Sequence, residues 1–285
     1  MTLAEKQRSK HVRNEIIYHV VALSLGFVML YPLLWMIFGS FKPEREIFGS
    51  LSLIPREFTP QNYVRGWAFN NIITFATFYW NSFTITSLST VGAVLMSSLA
   101  AFGFTRILFR GRSFWYSCMF LTLMLPFQVI MVPQYIMFHR MGWVNSFLPL
   151  IIPQWGGQAF FIFMMSQFFR GIPLELDESA MLDGCNKFTI YMRILFPLIT
   201  PALMTATIFS FYWRWEDFLG PLLYIGGRQR LWTVALAIRQ FQDTMGTDWG
   251  SIFAMGSLSI LPSLIVFFVF QRYIVEGIST TGLKS

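Results

Sequence analysis

The chain has 285 residues, of which only 12% are charged, whereas an average soluble domain has about 25% charged residues. Hydrophobic residues make up 55% and the mean hydropathy is +0.54, which indicates a polytopic membrane protein and excludes an ordinary soluble fold. The net charge is +7, but the basic residues lie mainly in short loops and form no basic stripe with interleaved aromatic residues, which excludes nucleic-acid binding. Two cysteines and three scattered histidines have no metal-ligand spacing, so we expect no metal site.

Six apolar stretches are long enough to cross a bilayer, because a membrane helix needs about 20 mainly apolar residues. In chain order they lie near 16–39, 78–103, 113–138, 146–168, 200–224 and 253–274. The first stretch is too long for the core of a signal peptide and lacks a small-x-small cleavage site, so we expect it to be retained. The sequence therefore predicts an all-α, polytopic protein with six transmembrane helices in a single membrane domain over residues 1–285.

Several prolines lie within these stretches, and seven of them are candidates for kinks or hinges. They are Pro32, Pro126, Pro133, Pro153, Pro201, Pro221 and Pro262. A proline kinks a membrane helix and frees backbone groups that neighbouring helices or water must then satisfy. These prolines mark either ordinary kinks or hinges about which a pore rocks between its two faces.

The distribution of lysine and arginine predicts the orientation of the chain. Twelve of these residues fall in the N-terminal segment, in the loops after the second and fourth stretches and in the C-terminal tail. Eight fall in the alternate loops, although those loops are longer. Because basic residues accumulate on the cytoplasmic side, we expect both termini and the 178–197 loop to be cytoplasmic.

The most specific pattern is the polar interruption at 178–197, between two strongly apolar stretches. Five positions there fit the pattern E-A-A-x3-G-x9-I-x-L-P of bacterial ABC importer permeases, namely Glu178, Ala180, Gly184, Ile194 and Pro197. Ser179 and Phe196 are mild departures from it. The preceding run F-F-R-G-I-P-L-E-L-D-E-S-A-M-L-D-G at 168–184, which includes Asp183, also resembles that family.

The resemblance extends through residues 78–285, with a core of five spans at about 78–275, and is looser before them. It includes N-S-F-T-I-T-S-L-S-T at 81–90, L-P-F-Q-V at 125–129, M-G-W-V-N-S at 141–146 and the C-terminal run Q-R-Y-I-V-E-G-I-S-T-T-G-L-K. The chain resembles the smaller permease of oligosaccharide ABC importers. This resemblance implies a type I importer fold in the bacterial inner membrane. The implied partners are a second, homologous permease that completes the pore, two ATPase subunits and an extracytoplasmic solute-binding protein.

In the family, the loop that corresponds to 174–197 docks on the ATPase. We predict two short helices here, joined by a turn at Gly184, because glycine accepts a positive φ. Leu174, Leu176, Ala180 and Met181 would supply apolar contacts to a groove of the partner. The alternative is an ordinary amphipathic cytoplasmic loop.

The motor is expected on another subunit. A P-loop ATPase requires G-x-x-x-x-G-K-[ST], and none of the five lysines follows a glycine. We therefore expect this chain to bind no cofactor, with ATP and magnesium held by the ATPase subunits.

Polar residues at the level of the spans are candidates for the substrate path or a gate. The candidates are Asn81, Gln128, Trp213, Arg214, Trp215, Glu216 and Asp217. Charges within a membrane helix are costly unless they are paired or hydrated, so 214–217 either lines the path or marks the outer end of the helix. Aromatic residues here could stack on sugar rings or belong to the interfacial belt, and the belt is favoured for at least two of Tyr212, Trp213 and Trp215. Amides could bind hydroxyl groups or hold helices together.

Glu216 stands where many relatives have asparagine, which leaves the substrate open. Arg214 and three arginines of the 226–252 loop would also suit a phosphorylated glycerol or an acidic oligosaccharide. A membrane enzyme or a channel is a more remote alternative, because the sequence has no H-E-x-x-H motif or Ser/His/Asp arrangement.

Overall fold

The computed structural model describes residues 3–50, 52–69, 72–243 and 246–282, and these residues are mainly helical. The first half contains α1 (Leu3–Gly39), α2 (Glu44–Ile47), α3 (Gln61–Ala68), α4 (Phe75–Arg106), α5 (Arg112–Leu123), α6 (Phe127–Arg140) and α7 (Leu148–Ile151). The second half contains α8 (Ala159–Gly171), α9 (Glu175–Leu182), α10 (Lys187–Ile190), α11 (Phe196–Leu198), α12 (Thr200–Trp215), α13 (Leu219–Ile225), α14 (Val234–Ile238) and α15 (Trp249–Gly282).

Shorter elements complete the chain. Turns of 3-10 helix occupy Ile152–Gly156, Gln229–Leu231 and Arg239–Phe241, and a π-helical turn occupies Tyr191–Leu195. Two strands of two residues, Gln242–Asp243 and Gly246–Thr247, pair antiparallel with Gln242 opposite Thr247.

Four helical segments are long and apolar enough to cross a membrane, and there are up to six if each of two bent helix pairs counts as one span. The four are Arg13–Gly39, Phe75–Arg106, Leu148–Gly171 and Trp249–Tyr273. One bent pair joins α5 to α6 at 100°, and the other joins Lys187–Leu198 to α12 at 76°. The six predicted stretches thus correspond to four candidate spans and, if each bent pair counts as one span, to two broken ones.

The fifth predicted stretch, 200–224, is too long. Helix α12 ends at Trp215, and Glu216 takes the capping position. The Asp217 carboxylate then accepts a hydrogen bond at 3.1 Å from the backbone N–H of Gly220, in the first turn of α13. A carboxylate at the start of a helix satisfies an otherwise unpaired donor, so the local chemistry ends one helix and begins the next.

Three of the prolines coincide with breaks in the helices. Pro126 lies between α5 and α6, Pro153 lies in the 3-10 turn within the fourth span, and Pro201 lies in the first turn of α12. Pro32, Pro133 and Pro262 lie inside helices that continue through them.

The chain divides into two compact units. One comprises the described residues of Met1–Asn71 together with Ile238–Leu258, and the other comprises those of Ile72–Ala237 and Ser259–Ser285. In the first unit, Trp35 packs edge-on against Phe253 at 5.0 Å, and the buried Asn62 amide donates to the Ser40 and Lys42 carbonyls. The assignment of residues 1–285 to one domain stays a prediction.

The core of the second unit forms where α4 packs between α8 and α12. Small residues of α4, such as Ala93 and Ala101, are fully buried against larger side chains such as Phe161 and Phe169. Small residues let membrane helices approach closely, and here they also place the hydroxyl groups of α4 against neighbouring backbone. Ser89, for example, donates to the Leu150 carbonyl at 3.1 Å.

Candidate functional site

The predicted coupling segment, 174–197, contains two helices joined by a tight turn, as the sequence indicated. Gly184 has a φ of +82°, its N–H donates to the Met181 carbonyl at 3.1 Å, and the Cys185 N–H donates to the Ala180 carbonyl at 3.0 Å. This pair of bonds is a Schellman ending, which requires a left-handed residue and therefore favours glycine. The Asn186 side chain then accepts from the Thr189 N–H at 2.8 Å and caps α10. Local sequence chemistry thus determines the geometry of this segment.

Residues of the coupling segment divide into inward and outward groups. Ala180 is buried in the core cluster, and Ile194 packs partly buried against it. The exposed positions of the matched pattern are Glu178, Ser179, Asp183, Gly184 and Pro197. The expectation that Ala180 faces a partner groove is therefore wrong, because its side chain is covered within this chain. The matched residues at 178–197 are therefore of two kinds. Some pack in this chain's own core, and others lie on its surface.

Large apolar side chains are exposed on the same segment. Leu182 is 90% exposed at the end of α9, and Phe188 is 65% exposed in α10. Leu174, Leu176 and Met181 are also exposed, as expected for contacts with a partner. Leu182 was not among the predicted contacts. Its position just before the predicted turn at Gly184, where the helix leaves the chain's own core, could have indicated it.

A buried ion pair connects the coupling segment to the spans. Arg106 Nε, at the end of α4, lies 3.4 Å from Asp177 Oδ2 in the first turn of α9, and the two side chains are 5% and 11% exposed. Arg106 Nη2 also donates to the Phe169 and Ile172 carbonyls at 2.9 and 2.7 Å, at the end of α8. One guanidinium therefore joins α4, α8 and α9. No local pattern in the sequence indicates this pair, because Arg106 and Asp177 are far apart in the chain and meet only in the tertiary structure.

A second link runs from α4 to the π-helical turn after α10. The buried Tyr191 hydroxyl lies 2.6 Å from Ser98 Oγ, and its ring packs against Phe102 at 5.0 Å. π-Helical turns are rare and occur frequently at functional sites. This one lies within the coupling segment, shortly before the 76° bend into α12.

The candidate path residues at 213–217 have different environments. Trp215 is buried, stacks on Phe211 at 5.8 Å and donates its indole N–H to the Ser259 carbonyl at 2.8 Å. Trp215 is therefore a packed core residue, and the interfacial belt stays a prediction for the other two aromatic residues, Tyr212 and Trp213. Trp213 is partly exposed and stacks on Phe161 at 5.5 Å.

The charged members of this cluster lie at the end of α12. Glu216 is exposed just beyond the end of α12, and the Asp217 carboxylate accepts a hydrogen bond from the Gly220 N–H. Arg214 Nε is buried and has no hydrogen-bond partner within the described part of the chain. No ion pair within 4.0 Å joins Arg214 to Asp217 among the described residues. Each of the two interpretations of 214–217 therefore holds in part. Helix α12 ends here, and the Arg214 guanidinium has a nitrogen buried in the protein.

Asn81 and Gln128 lie apart from that cluster. Asn81 is buried, and its amide donates to the Arg230 and Trp232 carbonyls at 2.8 and 3.0 Å, so both of its N–H groups are occupied. Of the two alternatives for Asn81, these contacts favour the structural role over contact with substrate. Gln128 is exposed in the first turn of α6, just after the Pro126 break.

Comparisons with known proteins agree with this architecture. Residues 93–280 match the model of the family described as "binding-protein-dependent transport system inner membrane component". The chain is 32% identical to the multiple sugar-binding transport system permease protein MsmG of Streptococcus mutans, over 91% of this chain and 93% of that protein. It is also 32% identical to the trehalose/maltose transport system permease protein MalG of Thermococcus litoralis, over 96% of this chain and 99% of that protein.

A solved structure has the same fold. It is that of a bacterial ABC transporter involved in the import of the acidic polysaccharide alginate, with a TM-score of 0.80 over 94% of this chain and 98% of the matched chain. The sequence identity is 20%, so this likeness concerns the fold alone. The family match and the helical spans make this chain a multi-pass membrane protein and a transport component rather than an enzyme. The chain belongs to the family of inner membrane components of binding-protein-dependent transport systems.

Proposed function

We propose that this chain is the permease subunit of an ATP-driven importer that carries a carbohydrate, most simply an oligosaccharide, across the bacterial cytoplasmic membrane. The observation that carries the proposal is the exposed apolar surface of the coupling segment on a chain of this family. Support for a carbohydrate comes from relatives whose names specify multiple sugars and trehalose or maltose.

The proposed complex contains a second, homologous permease, two ATPase subunits and an extracytoplasmic solute-binding protein. ATP and magnesium are held by the ATPases, and this chain binds no cofactor. Both termini and the coupling segment face the cytoplasm, which accords with the distribution of lysine and arginine.

Movement passes inward through the chain in three steps. Exposed Leu182 and Phe188 enter a groove on an ATPase, so that closure of the ATPases on ATP displaces α9 and α10. The Arg106–Asp177 pair and the buried Ala180 transmit this displacement to α4 and α8. The spans then exchange outward-facing and inward-facing arrangements, which ATP and the loaded binding protein stabilise differently.

The docking step is tested by Leu182→Asp in the complex reconstituted into proteoliposomes. Since Leu182 is almost fully exposed, a charge there leaves the folding of this chain unchanged but weakens the apolar contact. We expect the ATPases to be lost on purification, and uptake with them. Leu108→Asp is the matched control, because Leu108 is equally exposed but lies in the turn after α4. Full uptake and ATPase retention by Leu182→Asp would contradict the assignment.

An acidic oligosaccharide or a phosphorylated glycerol is the second candidate, and Arg214 favours it. Its buried Nε has no partner among the described residues and could meet an anionic group. Competition for uptake between neutral and acidic oligosaccharides, in wild type and Arg214→Gln, separates the candidates. An acidic substrate predicts a selective loss of the acidic sugar in the variant.

A further inference from the structure

The fourth candidate span, Leu148–Gly171, is interrupted part-way along its length. Helix α7 gives way to the 3-10 turn Ile152–Gly156, Gly157 has a φ of +79°, and α8 begins at Ala159. At a rise of about 1.5 Å per residue, this break lies about 6–15 Å from the start of the span, within a hydrocarbon layer about 30 Å thick. Irregular backbone at that depth occurs only where it is covered by protein or lines a watery cavity.

Polar groups at the break have no partner within the described chain. The Gln158 amide donates to Gln154 Oε1 at 2.6 Å, which leaves Gln154 Nε2 and Gln158 Oε1 without a hydrogen bond there. Neither of these two groups is among the fully buried atoms. Exposed amides facing lipid would cost several kcal/mol each. They therefore face water, a ligand or another subunit.

The Trp155 ring is held rigidly. One part of it lies directly on Gly92 of α4, so close that even a methyl group on Gly92 would stand 2.4 Å from the ring. The following Gln158 N–H donates to Ser97 Oγ at 2.9 Å, which fixes the other end of the break to the same helix. Despite these contacts, Trp155 is 41% exposed. An aromatic face is thus presented outward in a fixed orientation.

The aromatic surface continues from the break into the fifth span. Phe160, in the first turn of α8, is 5.8 Å from Trp213 of α12, and both are partly exposed. No charged residue occurs between 152 and 160. An exposed aromatic face flanked by neutral amides suits a ligand that has both apolar faces and hydroxyl groups, and it offers nothing to an ion.

We propose that the break in the fourth span, with Gln154, Trp155 and Gln158, forms a subsite that contacts the passing saccharide. Trp155 stacks on a sugar ring, while Gln154 Nε2 donates to a hydroxyl oxygen and Gln158 Oε1 accepts from a hydroxyl group. This inference rests on the proposed function, since it assigns residues to the path of a carbohydrate. The alternative occupant of the same surface is the second permease.

The test begins with water access. In the assembled complex, with Cys118→Ser and Cys185→Ser removing both native thiols, Gln158→Cys is exposed to a charged, membrane-impermeant methanethiosulfonate. Ile265→Cys, at an exposed apolar position of the sixth span, is the control. We expect Gln158→Cys to react at least about tenfold faster and to be protected by a transported oligosaccharide. Equal, slow labelling of both positions in every nucleotide state would overturn the proposal.

Uptake kinetics provide the second measurement. The probes are radiolabelled maltotriose, arabinotriose and diacetylchitobiose, supplied with the native binding protein. We expect Trp155→Leu to raise KM about tenfold, the scale of one lost aromatic contact, and Trp155→Phe to raise it less. Trp80→Leu, an exposed tryptophan at the start of α4, should leave KM unchanged.

The outcomes distinguish this inference from the function on which it rests. If wild type imports none of the probes, the carbohydrate function fails whatever the labelling shows. If wild type imports a probe and Trp155→Leu has a normal KM, the function stands and the subsite is wrong. If Trp155→Leu dissociates the two permeases, the break is a subunit interface and the subsite is likewise wrong.

Discussion

The coupling segment and the 213–217 cluster show two ways in which a membrane protein uses polar sequence. In the coupling segment, the polar groups build a rigid frame of caps, a Schellman turn and a buried ion pair, and apolar Leu182 and Phe188 are left exposed. At 213–217, the aromatic Trp215 is buried, Asp217 caps a helix, and Arg214 keeps an unpaired buried nitrogen. The residues that attract attention by their charge are therefore often structural, and exposed apolar residues at a rigid turn are better indicators of docking.

The sharpest test of that contrast is Asp177→Asn. Removing one partner of a buried ion pair leaves an uncompensated charge and destabilises a protein by about 3–5 kcal/mol, so we expect a large fall in the free energy of unfolding in detergent. The exposed pair of Arg45 and Glu57 is the matched control, and Glu57→Gln should cost about 0–1 kcal/mol. If the two variants unfold alike, the pair does not hold α9 to the spans.

Asn81→Leu tests whether an amide predicted to meet substrate is structural. The change leaves the Arg230 and Trp232 carbonyls without their donor, which should cost about 1–3 kcal/mol in unfolding free energy while the KM for uptake stays unchanged. Gln128→Leu is the counterpart, because exposed Gln128 should affect stability little. A raised KM in Asn81→Leu with normal stability would restore Asn81 to the path.

Gly184→Val tests the frame of the coupling segment. A left-handed conformation costs an L-residue about 1–2 kcal/mol, and more for a β-branched side chain. We expect the variant to insert into the membrane but to lose uptake driven by ATP, because the turn between α9 and α10 shifts. Gly171→Val is the control, since Gly171 has no positive φ and open space around it. Wild-type uptake by Gly184→Val would remove this turn from coupling.

The smallest expected effect lies in the loop after α1, outside the spans. A hydrogen bond from the Arg56 backbone N–H holds the pKa of Glu46 below its ordinary value, against the opposing effect of burial and with a lesser contribution from the Glu57 backbone N–H. Because the pKa of Glu46 is lower in the folded state, its ionised carboxylate stabilises the loop at pH values above the ordinary pKa of glutamate. That stabilisation is lost as the pH falls through the lowered pKa. Amide exchange at Arg56 and Glu57 should therefore accelerate on acidification in wild type, and Glu46→Gln should abolish this pH dependence.

Structural elements that depend only on nearby residues could be predicted from the sequence. Long apolar runs predicted the spans, and Gly184 predicted the turn between two helices, because hydropathy and positive φ are properties of short segments. The family pattern at 178–197 was likewise readable, since it is a matter of spacing. Even the end of α12 was within reach, because the two carboxylates at 216 and 217 lie side by side in the chain.

Which polar groups are left without an internal hydrogen bond depends on long-range packing and could not be predicted from the sequence. The pairing of Arg106 with Asp177 and the bonds from Asn81 to the 230–232 carbonyls join residues 71 to 151 positions apart, and no local pattern encodes them. The same holds for Ala180, which matches a docking motif yet is covered by the chain's own core, and for Trp155, which is fixed on Gly92 from a distant helix. Packing between distant parts of the chain determines which polar groups are hydrogen-bonded internally and which side chains stay exposed. A list of polar residues in a sequence therefore cannot show which of them meet a substrate.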